Sequence, residues 1–198
     1  MGQMEWTPAA GRGAPWPVAS AEERVDERAF VRALYEREAA RIRSTMARLA
    51  GPGHDADDMM QEVFLVALRR PKALAEARSA KAWLYGVAVH AARARRRRSR
   101  LRQIFGLEVA EEIPDPTTPA EALERDDARQ SVWRILEKLS ERKRAVFVLF
   151  ELEGLTGEEI SQALGCPLKT VWSRLLHARR EFAAHLARLQ LSESRRAA

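Results

Sequence analysis

Seven side chains between residues 169 and 179 carry the most legible chemistry in this sequence. Lys169, Thr170, Trp172, Ser173, Arg174, His177 and Arg179 fall around the outside of a helix whose Val171, Leu175 and Ala178 must face inward. Such an array suits phosphate oxygens and the edges of bases. A second cationic stretch lies upstream. From Arg78 through Leu107 there is no acid, while Arg78, Lys81, Arg93, Arg95, Arg96, Arg97, Arg98, Arg100 and Arg102 supply nine positive charges. Arg95 to Arg98 are consecutive, so at about 100° per residue they point nearly all round a helix, and about half can meet one phosphate surface. The chemistry expected is recognition of a polyanion, not bond making. His54, His90, His177 and His185 form no His-x-x-x-His pattern, no carboxylates are paired for acid–base work, and the lone Cys166 can form neither an internal disulfide nor a cysteine metal site. No catalytic residue, metal or cofactor is expected.

The elements that must position these groups are helices, because apolar residues recur at three and four and not at two. Thr156-Gly-Glu-Glu159 reads as a capping box, with the threonine hydroxyl accepting from the Glu159 amide and the glutamate reaching back to the cap. A helix therefore starts at Gly157, buries Ile160, Ala163 and Leu164, and ends at Gly165. Pro167 presets the first turn of the next helix, Leu168 to Arg180. Two helices joined by so short a turn cross steeply, which is the helix-turn-helix geometry that lays the second in a major groove. The alternative is an ordinary helical hairpin with a charged solvent face.

Upstream, a first helix is expected over Glu22 to Leu49, with Phe30, Leu34, Ile42, Met46 and Leu49 inward, closing at Gly51-Pro52-Gly53. A second runs from about Ala56 to Arg69 with Met60, Val63, Phe64 and Ala67 inward, stopped by Pro71. Its opposite face carries Asp58, Gln61, Glu62 and Leu65. An acidic face repels DNA, so it either docks protein or is simply solvated. A third helix runs from near Ser79 to about Phe105. Gly106 to Ala120, with Pro114, Pro116 and Pro119, cannot hold a helix and reads as a linker. The charge inverts there, Glu108, Glu111, Glu112, Asp115, Glu121, Glu124, Asp126 and Asp127 being opposed only by Arg125. Beyond it, Ala128, Val132, Ile135, Leu136 and Leu139 mark one helix and Arg142 to Glu153 another.

The expected fold is all-α. Two small helical domains, 21–105 and 125–191, are joined by a flexible acidic linker, 106–124, with tails at 1–20 and 192–198. With 198 residues and 46% apolar content the chain can build real cores, and a formal charge of +6 is compatible with a polyanionic partner or with a merely solvated basic surface. The first twenty residues lack a secretory apolar stretch, and no apolar run approaches the roughly 20 residues that span a bilayer, so no membrane insertion and a cytoplasmic location are expected.

The segments Asp55-Ala-Asp-Asp-Met-Met-Gln-Glu-Val-Phe64 and Ala82-Trp-Leu-Tyr85, followed by the arginine run, resemble region 2 of bacterial extracytoplasmic-function (ECF) sigma factors. Leu139-Ser-Glu-Arg-Lys-Arg-Ala-Val-Phe147, Glu151-Leu-Glu-Gly-Leu155, Glu158-Glu-Ile160 and Thr170-Val-Trp-Ser-Arg174 resemble region 4 of the same family. Together they cover roughly residues 25 to 190, in the family's order. The resemblance implies two sigma domains and binding to core RNA polymerase, at the clamp of its largest subunit and at the flap, with Asp58, Gln61, Glu62 and Leu65 on the clamp. It implies promoter DNA as ligand: an opened −10 strand near Arg78, Lys81, Trp83, His90, Arg93, Arg95, Arg96 and Arg97, and a −35 duplex under the helix from Leu168. An anti-sigma factor is a further implied partner. Trp83 either stacks on a base or is buried. His90 stands where many members carry asparagine, and Trp172 where lysine or arginine is usual. Two rivals are a sigma-like decoy that sequesters an anti-sigma factor and a dimeric helix-turn-helix regulator; the decoy leaves the arginine run unexplained, and the regulator leaves the acidic face without a task.

Overall fold

The computed structural model describes residues 21–51, 54–105 and 131–197, and among them every regular element is helical. The expected tail 1–20 and the acidic segment 106–124 lie outside the described residues. Helix α1 spans Ala21–Ala50, α2 Ala56–Arg69, α3 Pro71–Ala75 and α4 Ala80–Ile104. Helix α5 covers residues 131–138. Helix α6, Glu141–Phe147, runs into a π-helical turn at Val148–Leu152, followed by α7, Gly157–Leu164, and α8, Leu168–Ala197.

Helix α2 begins where the Asp55 carboxylate accepts from the amides of Asp57 and Asp58, satisfying two of the donors that a helix start leaves open. Met59, Met60, Val63, Phe64 and Ala67 bury its inner stripe against α1 and α4. On α1 the buried line is Val31, Leu34, Ile42, Met46 and Leu49, and Phe30, expected inside, is instead 42% exposed. One residue is about 100° of helix rotation, so Val31 and Phe30 cannot both face the core, and the stripe fixed by Leu34, Ile42 and Met46 selects Val31. Pro71 ends α2 as expected, yet it also serves as first residue of the one-turn α3, where its missing amide is no loss.

In the second half the capping box forms as read: the Glu159 amide donates to Thr156 Oγ1 at 3.2 Å and the Thr156 amide to Glu159 Oε2 at 3.0 Å. Gly165 ends α7 at φ +58, a left-handed conformation that a side chain disfavours. On α5, Val132 is 40% exposed while Ile135, Leu136 and the following Leu139 are buried. The last helix continues to Ala197, past residue 192 where a tail was expected. Nothing between Arg180 and Ala197 breaks a helix: the stretch has no glycine or proline and is rich in Ala, Leu, Arg and Glu.

The two domains pack against each other. A single apolar cluster runs from Val31 on α1 through Leu84 and Val89 on α4 to Ile160, Val171 and Ala178, and the main contact between the halves is α4 against α7. Gly86 on α4 makes that approach possible, since a Cβ there would stand 2.6 Å from the Ala163 carbonyl oxygen.

Candidate nucleic-acid interface

Helix α8 presents its outer side much as the spacing required. Val171, Leu175 and Ala178 are fully buried, whereas Lys169, Trp172, Ser173, His177 and Arg179 are exposed and Thr170 and Arg174 half-buried. Three of these side chains are engaged with the protein, Arg174 by donating from Nη1 to Cys166 Sγ at 3.5 Å. Trp172 packs edge-on against Phe150 with ring centroids 5.6 Å apart and lies against Gly157. Arg179 pairs with Glu151 at 2.6 Å and sits over the Phe150 ring. Lys169, Ser173 and His177 are therefore the groups most open to a duplex, and Trp172 buttresses the turn while showing its remaining edge.

The face of α2 opposite the core holds Asp58, Gln61, Glu62 and Leu65, all exposed. Leu68, not singled out by sequence, joins them at 48% exposure, as does Leu65. The result is a pair of exposed leucines bordered by carboxylates. Glu62 lies 3.6 Å from Arg95, which ties the rim to the arginine run.

Helix α4 departs from expectation. Arg78, just before it, and Arg97 are exposed, but Lys81, Trp83, His90, Arg93 and Arg95 are half-buried and Arg96 is buried. Arg96 Nη1 donates to the Ala50 carbonyl at 3.3 Å, and its guanidinium lies 5.2 Å from the Trp133 ring. Lys81 Nζ donates to the Glu153 carbonyl at 3.1 Å. The indole nitrogen of Trp83 is buried without a hydrogen bond. Burial, and then the charge of Arg93, lowers the His90 pKa, so the imidazole is neutral at physiological pH. Burial also lowers that of Arg93, with Arg174 and Arg142 adding repulsion and Glu141 opposing it.

Sequence reasoning missed two buried clusters that join the halves. The first centres on Glu153, only 3% exposed, which accepts from Arg48 Nη1 at 2.9 Å and from the Tyr85 hydroxyl at 3.1 Å. The π-turn puts it there: with the Glu153 amide bonded to the Val148 carbonyl five residues back, the helix gains a residue and the chain turns inward. Burial and the Glu153 carboxylate push the Tyr85 hydroxyl pKa well above its ordinary value, so it remains a donor. The second centres on Arg144, which donates to the carbonyls of Leu136, Glu137 and Leu139 at the end of α5 and to that of Leu49 at the end of α1. Two helix C-termini, each with unpaired carbonyls and partial negative charge, thus converge on one guanidinium. Burial lowers the Arg144 pKa to about 10, which leaves it cationic at neutral pH. Trp133 is held between Arg96 and Arg144, the latter 4.9 Å from its ring. A hint was available in Glu153, an acid flanked by Leu152, Gly154 and Leu155; Arg144 gave none.

Among the described residues the chain is all-helical, with an exposed polar and basic face on α8 and an exposed acidic and apolar face on α2. The sigma-70 region 2 family matches residues 34–102, and the sigma-70, region 4 family matches residues 129–182. The chain is 34% identical over 168 residues to the ECF RNA polymerase sigma factor SigL of Mycobacterium tuberculosis, covering 84% of this chain and 92% of that one. It is 31% identical over 163 residues to the ECF RNA polymerase sigma-E factor of Escherichia coli, covering 78% and 84%. In fold it resembles CnrH, solved in complex with the cytosolic domain of CnrY, with TM-score 0.61 at 23% identity over 84% of this chain and 94% of that one. It also resembles the sigma factor RpoE of Bartonella quintana, solved with the anti-sigma factor NepR, with TM-score 0.62 at 20% identity over 79% and 96%. The chain belongs to the sigma-70 family, as an ECF RNA polymerase sigma factor. No helix among the described residues is long and apolar enough to cross a membrane.

Proposed function

We propose that the protein grips the clamp of the largest polymerase subunit through Asp58, Gln61, Glu62 and Leu65 on α2, and reaches the flap through its second domain. Residues 21–105 form the first unit and 125–191 the second, with 106–124 as an acidic strap. The exposed apolar and acidic strip on α2 carries this reading, because it is unsuited to DNA and needs a protein partner. The −35 duplex is met by Lys169, Thr170, Ser173, Arg174 and His177, with Trp172 and Arg179 supporting the reading helix. The −10 strand is met by Arg78, Arg97 and the half-buried Lys81, Trp83, His90, Arg93 and Arg95, while Arg96, buried on the Ala50 carbonyl and the Trp133 ring, braces the helix that presents them. Opening DNA costs a few kcal/mol for each base that leaves the stack, and these cations and the indole offset that cost. The factor itself makes and breaks no bond and works in the cytoplasm, with an anti-sigma factor as a further partner.

Run-off transcription from linear promoter DNA with purified protein and core polymerase tests the reading. Asp58→Lys combined with Gln61→Ala should weaken polymerase binding at least tenfold while leaving affinity for the −35 duplex within twofold. Equal loss of both would remove the clamp assignment. Failure of the unaltered protein to bind polymerase would favour a decoy that only captures an anti-sigma factor.

A further inference from the structure

Near the end of α4, the joint between α5 and α6 opens into a cleft of about 560 Å³. Its walls carry four cations, Arg100, Lys138, Arg142 and Arg144, against two carboxylates, Glu137 and Glu141. Arg100, Lys138 and Arg142 are exposed, whereas Arg144 is buried. Glu141 is already divided between Arg100 Nη1 at 3.5 Å and Arg96 Nε at 3.8 Å, and neither distance is that of a hydrogen-bonded ion pair. Arg96 Nε makes no hydrogen bond, on a side chain only 9% exposed. Arg93, Arg96, Glu141 and Arg144 line a second, small cavity of about 10 Å³, room for one water-sized guest. Burial is the main cause that lowers the pKa of Arg96 and of Arg144, and the next in each case is another arginine, Arg100 for Arg96 and Arg96 for Arg144. Positive charge is in excess here and short of acceptors.

We propose that this cleft binds a diphosphate-class oxyanion, held by Arg100 from α4 and Arg142 from α6, with Lys138 and Ser140 Oγ as further donors and Arg144 as a fixed charge behind them. A guanidinium offers a planar fork that meets two phosphate oxygens at once, and an ammonium a point charge. Ser140 is exposed and its hydroxyl makes no capping bond to α6, so it can donate to an oxygen of the ligand. The volume lies within the roughly 300–1,000 Å³ of small-molecule sites. Apart from Leu139 the lining is polar, so the cleft reads phosphate groups and offers no stacking surface to a base. A duplex fits worse, because Glu137 and Glu141 would stand against its run of phosphates while a compact polyanion nests among the cations. Bound there, the anion would tie the end of α4 to α6 and stabilise the folded chain by mass action. The proposal is independent of how polymerase and promoter are bound.

Isothermal titration calorimetry of sodium diphosphate into the full chain, with sodium chloride at matched ionic strength as reference, tests the site. One diphosphate should bind per chain, with a saturable heat that chloride does not give. Arg100→Ala combined with Arg142→Ala should raise the Kd at least tenfold. Arg180→Ala combined with Arg188→Ala, the same change of charge at exposed positions on α8, should leave it within twofold. Glu141→Gln, which frees Arg96 and Arg100 from their shared carboxylate, should lower the Kd at least threefold and serves if the first double variant fails to fold. ADP is the second titrant. If it binds and responds to the same variants, the ligand is the phosphate tail of a nucleotide; if it does not bind while diphosphate does, the ligand is the free ion. No heat beyond the chloride reference would overturn the proposal, as would equal loss in the two double-arginine variants, which would mean a diffuse cationic field. So would a short DNA duplex that abolishes the diphosphate heat and itself binds more weakly to the Arg100 and Arg142 double variant, because the cleft would then be a nucleic-acid surface.

Discussion

Arg144→Met should destabilise the protein by about 3 kcal/mol. The wild-type guanidinium serves four carbonyls, those of Leu136, Glu137, Leu139 and Leu49. Glu137 is exposed, so water can replace the arginine there, and the Leu136 carbonyl keeps the Leu139 amide as donor. The carbonyls of Leu139 and Leu49, on residues only 2% and 5% exposed, would be left without a charged donor. A buried acceptor stripped of its partner costs about 1–3 kcal/mol, and breaking a buried charge network typically costs about 3–5. Relief of the desolvated charge works the other way, and methionine keeps most of the packing on Trp133, which brings the net to the lower end of that range. Arg144→Lys retains the charge but replaces a five-donor fork with one ammonium, so it should lose about half as much. Equilibrium urea unfolding followed by far-ultraviolet circular dichroism reads both, provided the transition is two-state with an unchanged slope. If Arg144→Met matches the wild type within about 1 kcal/mol, the claim that this arginine closes two helix ends is wrong.

Thr156→Ala removes the hydroxyl that accepts the Glu159 amide and should cost about 1 kcal/mol of stability in the same urea assay. The Glu159 carboxyl is held below its ordinary pKa, chiefly by its bond from the Thr156 amide and also by Ser79. Its contribution to stability is therefore present above the unfolded value of about 4.3 and lost as pH falls through the lower folded value. A pH series of thermal midpoints should show this acid loss in the wild type and a shallower loss in Glu159→Gln. Arg97→Ala, at an exposed position on the free side of α4, should reduce the slope of log affinity against log salt by roughly 0.9 if that side chain meets a phosphate in the holoenzyme. An unchanged slope in a filter-binding titration would place Arg97 off the DNA.

Local chemistry was the readable part of this sequence. The Thr156–Glu159 box, the helix-ending Gly165 and the buried stripe of α2 each depend on residues a few positions apart, so spacing alone determines them. The outer faces of α2 and α8 followed for the same reason. What spacing could not show was which exposed face of one half meets the other. Arg96 was expected at the −10 strand and Arg144 was not singled out, because their burial depends on carbonyls at the end of α1 that no local pattern announces. Gly86 carried no cue in a helix that tolerates it, and its purpose appears only when α7 is laid across it. Phe30 and Val31 compete for one inward direction, and the choice is made by the stripe lower down the helix.

Helix α8 is 30 residues long without interruption, which at about 1.5 Å per residue makes a rod of roughly 45 Å. Its first turns carry the face proposed to meet DNA, and its last lie well beyond residue 182, where the region 4 match ends. Such a rod transmits torque. A partner that takes hold near Leu186 and Leu191, both exposed, would steer the groove-facing end as a handle steers a key. A fluorophore at the far end would swing through about 8 Å for every 10° that the reading end tilts about its tip, by simple lever geometry on that length. The length of α8 therefore makes its far end a mechanical pointer, about 45 Å from the face proposed to meet the promoter.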